Sequence, residues 1–280
     1  MGGADAIPGV SGGTVALILG IYSRLVTAIS RFDMTLLTYV KLKQWSVAAE
    51  HVDLRFLVTL ASGIVLGVGG LARMMLYLLE HQRLPTFAIF FGLIIASCIL
   101  VAKKVKHWTP AHVIGSVTGS VFAFLLVGLP LLTNPPSGNG YVFLCGMIAI
   151  CAMILPGISG AFILLLLGKY YDMLGVLQDL LKGVFHFDLR IATLVTFCVF
   201  LAGCVIGLLS FSKILRWLLA QHESQTLAIL CGFMAGSLRK IWPFQINSIP
   251  ELDGQVLLSI ALAIIAIAFV FTLDRLTRNQ

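Results

Sequence analysis

The chain has 280 residues, 59% of them hydrophobic and 11% charged, with a mean hydropathy of +1.01 and a net charge of +7. A soluble domain carries about 25% charged residues, so a chain this apolar could not cover its own surface in water, and the bilayer is its natural solvent. The basic residues sit mostly between apolar stretches, which reads as membrane topology and not as a nucleic-acid surface.

The chain starts Met1-Gly2-Gly3-Ala4-Asp5 with no basic lead, so no cleavable signal peptide is expected. The first distinctive element is Pro8-Gly9-Val10-Ser11-Gly12. Proline removes a backbone donor and clashes with the preceding turn, and glycine tolerates the dihedrals of a break. Segments 56–79, 86–102 and 112–132 follow, each near the ~20-residue spanning length. After an uncharged loop at 133–140, segment 141–155 is short for a span and runs into Pro156-Gly157-Ile158-Ser159-Gly160. Segment 159–174 comes next, then spans at 191–209, 227–241 and 256–273. Each break is predicted to form a re-entrant hairpin that goes in, breaks near mid-depth and returns to its own side. Unpaired backbone at that depth is tolerable only if buried in protein or lining a wet cavity.

The two halves match. At an offset of 148 (156 − 8), Leu17, Leu19, Gly20 and Tyr22 meet Leu165, Leu167, Gly168 and Tyr170. At an offset of 140 (203 − 63), Gly63, Val65 and Gly67 meet Gly203, Val205 and Gly207, and Thr86, Ala88, Ile89, Gly92 and Ser97 meet Thr226, Ala228, Ile229, Gly232 and Ser237. The change of offset makes the first connecting loop eight residues longer (148 − 140). Blocks in matching order point to an internal duplication: one transmembrane domain over 1–280, with repeat one at 1–133 and repeat two at 141–280. Three spans per repeat is odd, so the second repeat enters from the opposite face. The predicted fold class is an all-α polytopic membrane protein with inverted-topology repeats, two broken hairpins and about six full transmembrane helices. On this topology Arg31, Lys41, Lys43, Arg55, Lys103, Lys104, Lys106, Arg275 and Arg278 share one face, and Arg83, Lys182, Arg190, Arg239 and Lys240 the other. The more basic face is expected to be cytoplasmic.

The chemistry is expected at the breaks. A helix starts after each, at Ser11/Gly12 and at Ser159/Gly160, and a helix start offers unpaired N–H groups and a positive dipole end to an anion. Small residues let the anion approach, and Ser11, Ser159 and Thr14 can add hydroxyl donors. The alternative is that the serines only cap kinked helices and the glycines only allow close packing. Arg73 and Lys213 occupy equivalent positions inside apolar segments, where a charge costs about 2.5–3.5 kcal/mol, so each either serves the site or snorkels to the interface. For Arg24 and Arg216, nearer the ends of their segments, snorkelling is expected. Asp5 is the lone acid beside the first break, placed to carry a proton or bind a cation, or else simply solvated. Cys98, Cys145, Cys151, Cys198, Cys204 and Cys231 lie in or at the ends of apolar segments without C-x-x-C spacing and read as small hydrophobes. No metal site is expected, since His107 and His112 lack partners at ligand spacing, and no catalytic constellation is visible.

Ala4-Asp5-x-x-Pro8-Gly9-Val10-Ser11-Gly12-Gly13-Thr14, followed by Gly20-Ile21-Tyr22, resembles the bacterial polyprenyl-phosphate translocases. Leu155-Pro156-Gly157-Ile158-Ser159-Gly160 with Gly168-Lys169-Tyr170-Tyr171 is similar to that family's second element. The resemblance covers essentially the whole chain. It implies a non-enzymatic flippase in the bacterial cytoplasmic membrane that returns undecaprenyl phosphate to the inner leaflet for peptidoglycan and other envelope polymers. No cofactor is expected, and proton or cation coupling is assigned to Asp5 because it is the only acid beside a break. The expected substrate-binding set is Pro8, Gly9, Ser11, Gly12, Gly13, Thr14, Pro156, Gly157, Ser159, Gly160, Arg73 and Lys213. Only residues 1–7 precede the first break, and similar proteins begin with more lead-in sequence, so a shortened start is expected. Two other readings compete. A secondary transporter of a small anion would use the same helix starts but need no opening for a lipid tail. Undecaprenyl-pyrophosphate phosphatases carry a Pro-Gly-x-Ser element too, but add an arginine after that serine and an acidic cluster, where this chain has Gly12 and Gly160 and no embedded glutamates.

Overall fold

The computed structural model describes residues 1–2, 11–186, 190–242 and 254–278. Every regular element within them is helical. After the first break come α1 (Gly12–Ile18) and α2 (Tyr22–Ser30), and the longer first loop folds into α3 (Met34–Lys41) and α4 (Trp45–His51). The first three spans are α5 (Leu54–His81), α6 (Arg83–Lys104) and α7 (Pro110–Gly128). The second break is built by α8 (Asn139–Ile154), α9 (Gly160–Leu166) and α10 (Tyr170–His186). The last spans are α11 (Ile191–Gln221), α12 (Glu223–Ser237) with a 3-10 turn at Leu238–Ile241, and α13 (Gly254–Arg278).

Local chemistry sets several of these bounds. Asp33 caps α3 by accepting from the Leu36 N–H at 3.1 Å. Pro110 stands at the start of α7, where its missing N–H is harmless, and the His112 ring accepts from the Thr109 N–H at 3.2 Å. That cap is what His112 does here. Helices α3 and α4 expose Met34, Leu37 and Trp45 beside Lys41 and Lys43, the pattern of segments lying in a membrane interface.

Helices α5, α6, α7, α11 and α13 are long and apolar enough to cross a bilayer. The sixth expected span, α12, has 15 α-helical residues and reaches Ile241 only through its 3-10 turn. It is also the most enclosed helix, with Ala228 and Met234 fully buried. Val65, Ile114, Ile191 and Ile264 project from the outer helices, as an apolar solvent requires. The chain is an all-α polytopic membrane protein.

The second break makes a hairpin whose return arm is shorter than segment 159–174. The Tyr141 hydroxyl donates to the Leu167 carbonyl at 2.8 Å, and Gly160 lies beside the Ala149 carbonyl, so α9 runs back along α8. After seven residues the chain turns again at Gly168, where φ is +69°, and α10 leaves at 114° to α9. The first half repeats the turn at Gly20, with φ +70° and a bend of 120° between α1 and α2. Both positions need the left-handed region that glycine enters without a Cβ penalty. The sequence match of Gly20 with Gly168 therefore marks a second turn in each element, beyond the Pro-Gly break.

The spans then cross in two related pairs. Helix α12 packs on α7 and α6 packs on α13. A Cβ on Gly232 would strike the Ser116 carbonyl, and a Cβ on Gly92 would strike the Ala263 carbonyl. Gly92 and Gly232 are 140 residues apart, the offset found in the sequence, so one contact is made twice. Close approach of backbones is the main source of association between helices in lipid. Gly232→Val is expected to destabilise the protein by about 1–3 kcal/mol through overpacking, read as a lower melting temperature in detergent. An unchanged melt would mean that this crossing tolerates separation.

The match ends at the lead-in arms. On α11, Gly203 abuts the Phe143 carbonyl of α8. On α5, the equivalent Gly63 meets nothing within 4 Å among the described residues, and Gly2 lies against Ile64.

Candidate functional site

The segment that follows the first break touches the second break. Ser11 caps α1 with extended backbone (φ −111°, ψ 136°), and its hydroxyl accepts from the Gly13 N–H at 3.1 Å. The same hydroxyl faces the Met153 and Leu155 carbonyls at 3.3 and 3.2 Å, where α8 ends. Thr14, one turn on, accepts from the Gly157 N–H at 2.9 Å. The Tyr22 hydroxyl donates to the Ile154 carbonyl at 3.2 Å. The segment after the first break thus satisfies backbone groups that the second break frees, which is how irregular backbone survives at the centre of a membrane bundle.

Gly157 is the tightest point of the junction. Its φ is +88°, and a Cβ there would come within 2.6 Å of Ser237 Oγ and 3.0 Å of Met234 Cα. Pro156, Gly157, Ile158, Ser159 and Gly160 are all buried. The second cap differs from the first. Ser159 has the same extended backbone (φ −97°, ψ 133°) but makes no side-chain cap bond. Its hydroxyl, at 6% exposure, has no partner among the described residues. A buried hydroxyl without a partner costs free energy, so the two serines are not equivalent: Ser11 is spent on the protein, and Ser159 bonds to none of the described residues.

An apolar cavity of about 180 Å³ adjoins this junction. Gly12 and Gly13 of α1 and Met153 and Ile154 of α8 line its inner end, and Val26, Leu60, Ile64 and Leu208 line its sides, with Ser212 the one hydroxyl.

The remaining expected residues fall as follows. Ser11, Gly12, Gly13, Thr14, Pro156, Gly157, Ser159 and Gly160 come together at the junction. Pro8, Gly9 and Asp5 lie outside the described residues, as does the side chain of Arg73 on α5. Lys213 is exposed on α11 beside the cavity-lining Ser212 and does not itself line the cavity. Arg24 leaves the apolar zone to pair with Asp53 at 2.6 Å, and the guanidinium holds that carboxyl below its ordinary pKa. Arg216 reaches Ser30 Oγ at 3.3 Å. The cysteines are free, and the Cys98 and Cys231 thiols face each other's carbonyls across the α6–α12 contact.

Sequence reasoning gave no role to Tyr22, Met234 and Ser237, which close the junction. The signal was there: Tyr22 matches Tyr170, and Ser237 matches Ser97. In the sequence Lys240 counts only among the cations of one face, but its ammonium sits 4.4 Å above the Phe162 ring of α9.

Paired broken helices meeting inside a bundle, with buried hydroxyls and an apolar cavity at the junction, define a membrane transporter of the broken-helix class. A family model described as "VCA0040-like: Undecaprenyl phosphate translocase-like" matches residues 1–270, and the chain belongs to that family. It is 37% identical to a polyprenyl-phosphate transporter of Vibrio cholerae serotype O1, over 98% of this chain and 93% of that protein. It is 30% identical to a polyprenyl-phosphate transporter of Staphylococcus aureus, over 100% of this chain and 95% of that one. No solved structure matches the chain.

Proposed function

We propose that this protein carries undecaprenyl phosphate across the bacterial cytoplasmic membrane and acts as a transporter without catalysing a covalent step. One observation carries the reading: the start of α1 and the second break meet at a buried hydrogen bond beside an apolar cavity. The polar junction, with the open Ser159 hydroxyl, suits a phosphate, and the cavity beside Gly12 and Gly13 suits the first carbons of its tail. A small-anion carrier would have no use for the cavity. In this conformation Ser11 and Thr14 are bonded to the other break, so the phosphate binds when the two breaks part.

The test is transport by the full chain in proteoliposomes, with undecaprenyl phosphate assayed separately in each leaflet. The wild-type protein should equilibrate the lipid, and failure to do so would remove the reading. Leu208→Trp fills the cavity. Displacing two buried methylenes loses roughly 1.6 kcal/mol at ~0.8 kcal/mol each, so transport should fall about tenfold. Binding of a soluble phosphate monoester should be unaffected. Equal loss of both would place the tail elsewhere.

Coupling belongs to the same proposal. A phosphate monoester carries about −1.5 to −2 charges at neutral pH, and each charge moved against the potential costs about 2.3 kcal/mol per 100 mV. With the cell interior negative, inward movement of the bare head group is uphill, and Asp5 is the acid proposed to carry the compensating proton or cation. Asp5→Asn should flatten the pH profile of flipping and spare head-group binding. An unchanged profile would hand the compensation to cationic residues such as Arg73 and Lys213.

A further inference from the structure

Three cations from two helix ends gather beside the second break. Arg239 and Lys240 sit on the 3-10 turn that follows α12, directly after Ser237, the residue packed on Gly157. Arg83 begins α6, which packs on that turn, with the Phe91 ring 5.2 Å from the Trp242 ring just beyond it. Each cation rests on an aromatic ring: Arg83 5.6 Å above Phe87, Arg239 4.3 Å above Phe124, and Lys240 4.4 Å above Phe162. Arg239 also donates to the Phe124 carbonyl at 3.1 Å, at the far end of α7. Among the described residues the ion pairs are Arg24–Asp53, His51–Asp33 and Lys169–Asp172, and none neutralises this group.

Like charges repel, so a group of cations with no ion-pair partner among the described residues gains when an anion joins it. The internal match shows that the group is no by-product of the duplication. At the offset of 140, Arg239 and Lys240 correspond to Ile99 and Leu100, and Arg83 corresponds to Glu223. These three positions do not repeat, although the matching end of α6 carries its own cations, Lys103 and Lys104, a few residues further on. The cluster also stands on the face with fewer basic loops, against the general topological bias. Phe162 lies one turn after Ser159, and residues three apart share a helix face. Lys240 therefore stands over the face of α9 that starts with the open Ser159 hydroxyl.

We propose that Arg83, Arg239 and Lys240 form a capture site for a phosphate monoester head group on the outer face, from which it passes along α9 to Ser159. The site rests on the lipid-transport reading above and adds a first binding step to it on one face of the bundle.

The test uses the full chain in nanodiscs and proteoliposomes, with undecaprenyl phosphate and inorganic phosphate as separate probes. Lys240→Gln, and Arg83→Gln with it, should weaken undecaprenyl phosphate binding several-fold and flatten its salt dependence. Half-saturation of flipping from the outer leaflet should rise by the same factor, with the maximal rate and the half-saturation from the inner leaflet little changed. Lys240→Arg should behave as wild type, which separates charge from packing against Phe162. Unchanged lipid binding in the double variant would overturn the proposal, as would equal loss from both leaflets. If inorganic phosphate binds through these residues and the lipid does not, the capture site stands as an anion site while the lipid reading falls.

Discussion

Gly157→Ala is expected to reduce transport by more than about tenfold and to lower the stability of the protein. The backbone at Gly157 has φ +88°, a region that costs a residue with a Cβ roughly 1–2 kcal/mol. The new methyl would stand 2.6 Å from Ser237 Oγ and 3.0 Å from Met234 Cα, and overpacking of this kind costs about 1–3 kcal/mol. Neither neighbour yields easily, because the Ser237 hydroxyl is tied to the Met234 carbonyl at 2.8 Å and Met234 is fully buried. A strained junction of ~2–5 kcal/mol cannot keep Thr14 and Gly157 in register, and ~1.4 kcal/mol already corresponds to tenfold. Ser237→Ala removes the nearer obstacle, so the double variant should recover part of the lost stability. Gly175→Ala, at a helical position with nothing within 4 Å, serves as the control and should melt and transport as wild type. Wild-type transport by Gly157→Ala would show that the closed junction is not a state the transporter needs.

Thr14→Val should be nearly as damaging, and Thr14→Ser should be mild. Valine matches threonine in shape but cannot accept from the Gly157 N–H, which is held at 2.9 Å in a buried setting. A buried donor left without a partner costs about 1–3 kcal/mol. Serine keeps the acceptor and loses only a methyl group. The comparison separates the hydrogen bond from the packing of Thr14, and thermal melting together with leaflet-resolved transport reads both. If valine and serine variants behave alike, the contact between the breaks is not maintained by this bond.

Much of this was legible in the chain. Composition alone required a membrane protein, because 11% charged residues cannot clothe a soluble fold of this length. Breaks are legible because proline and glycine act locally, and Pro156-Gly157 ends α8 wherever the rest of the molecule goes. The matched glycines carried information too: Gly92 and Gly232 recur because each faces a carbonyl at a helix crossing, and a side chain there would part the helices. Gly20 and Gly168 were visible as a matched pair, but a pairing says only that something is shared. The 120° and 114° bends became evident only in three dimensions.

Which groups satisfy one another was decided by the tertiary structure alone. Ser11 and Ser159 share the Pro-Gly-x-Ser-Gly motif and an extended cap backbone, yet one bonds Gly13 and faces the end of α8 while the other has no partner among the described residues. Hydrogen bonding depends on what packs opposite a group, and the residues opposite Ser11 lie some 140 positions away in the chain. The same holds for charge. Arg83, Arg239 and Lys240 are separate loop cations in the sequence, and they become a cluster because α6, α7 and α12 end at one place. Periodicity and motif are properties of neighbours along the chain, so the sequence determined the five long spans and the second break. The junction, the cavity and the cation cluster are made by residues far apart in sequence, and only the packing of the helices decided them.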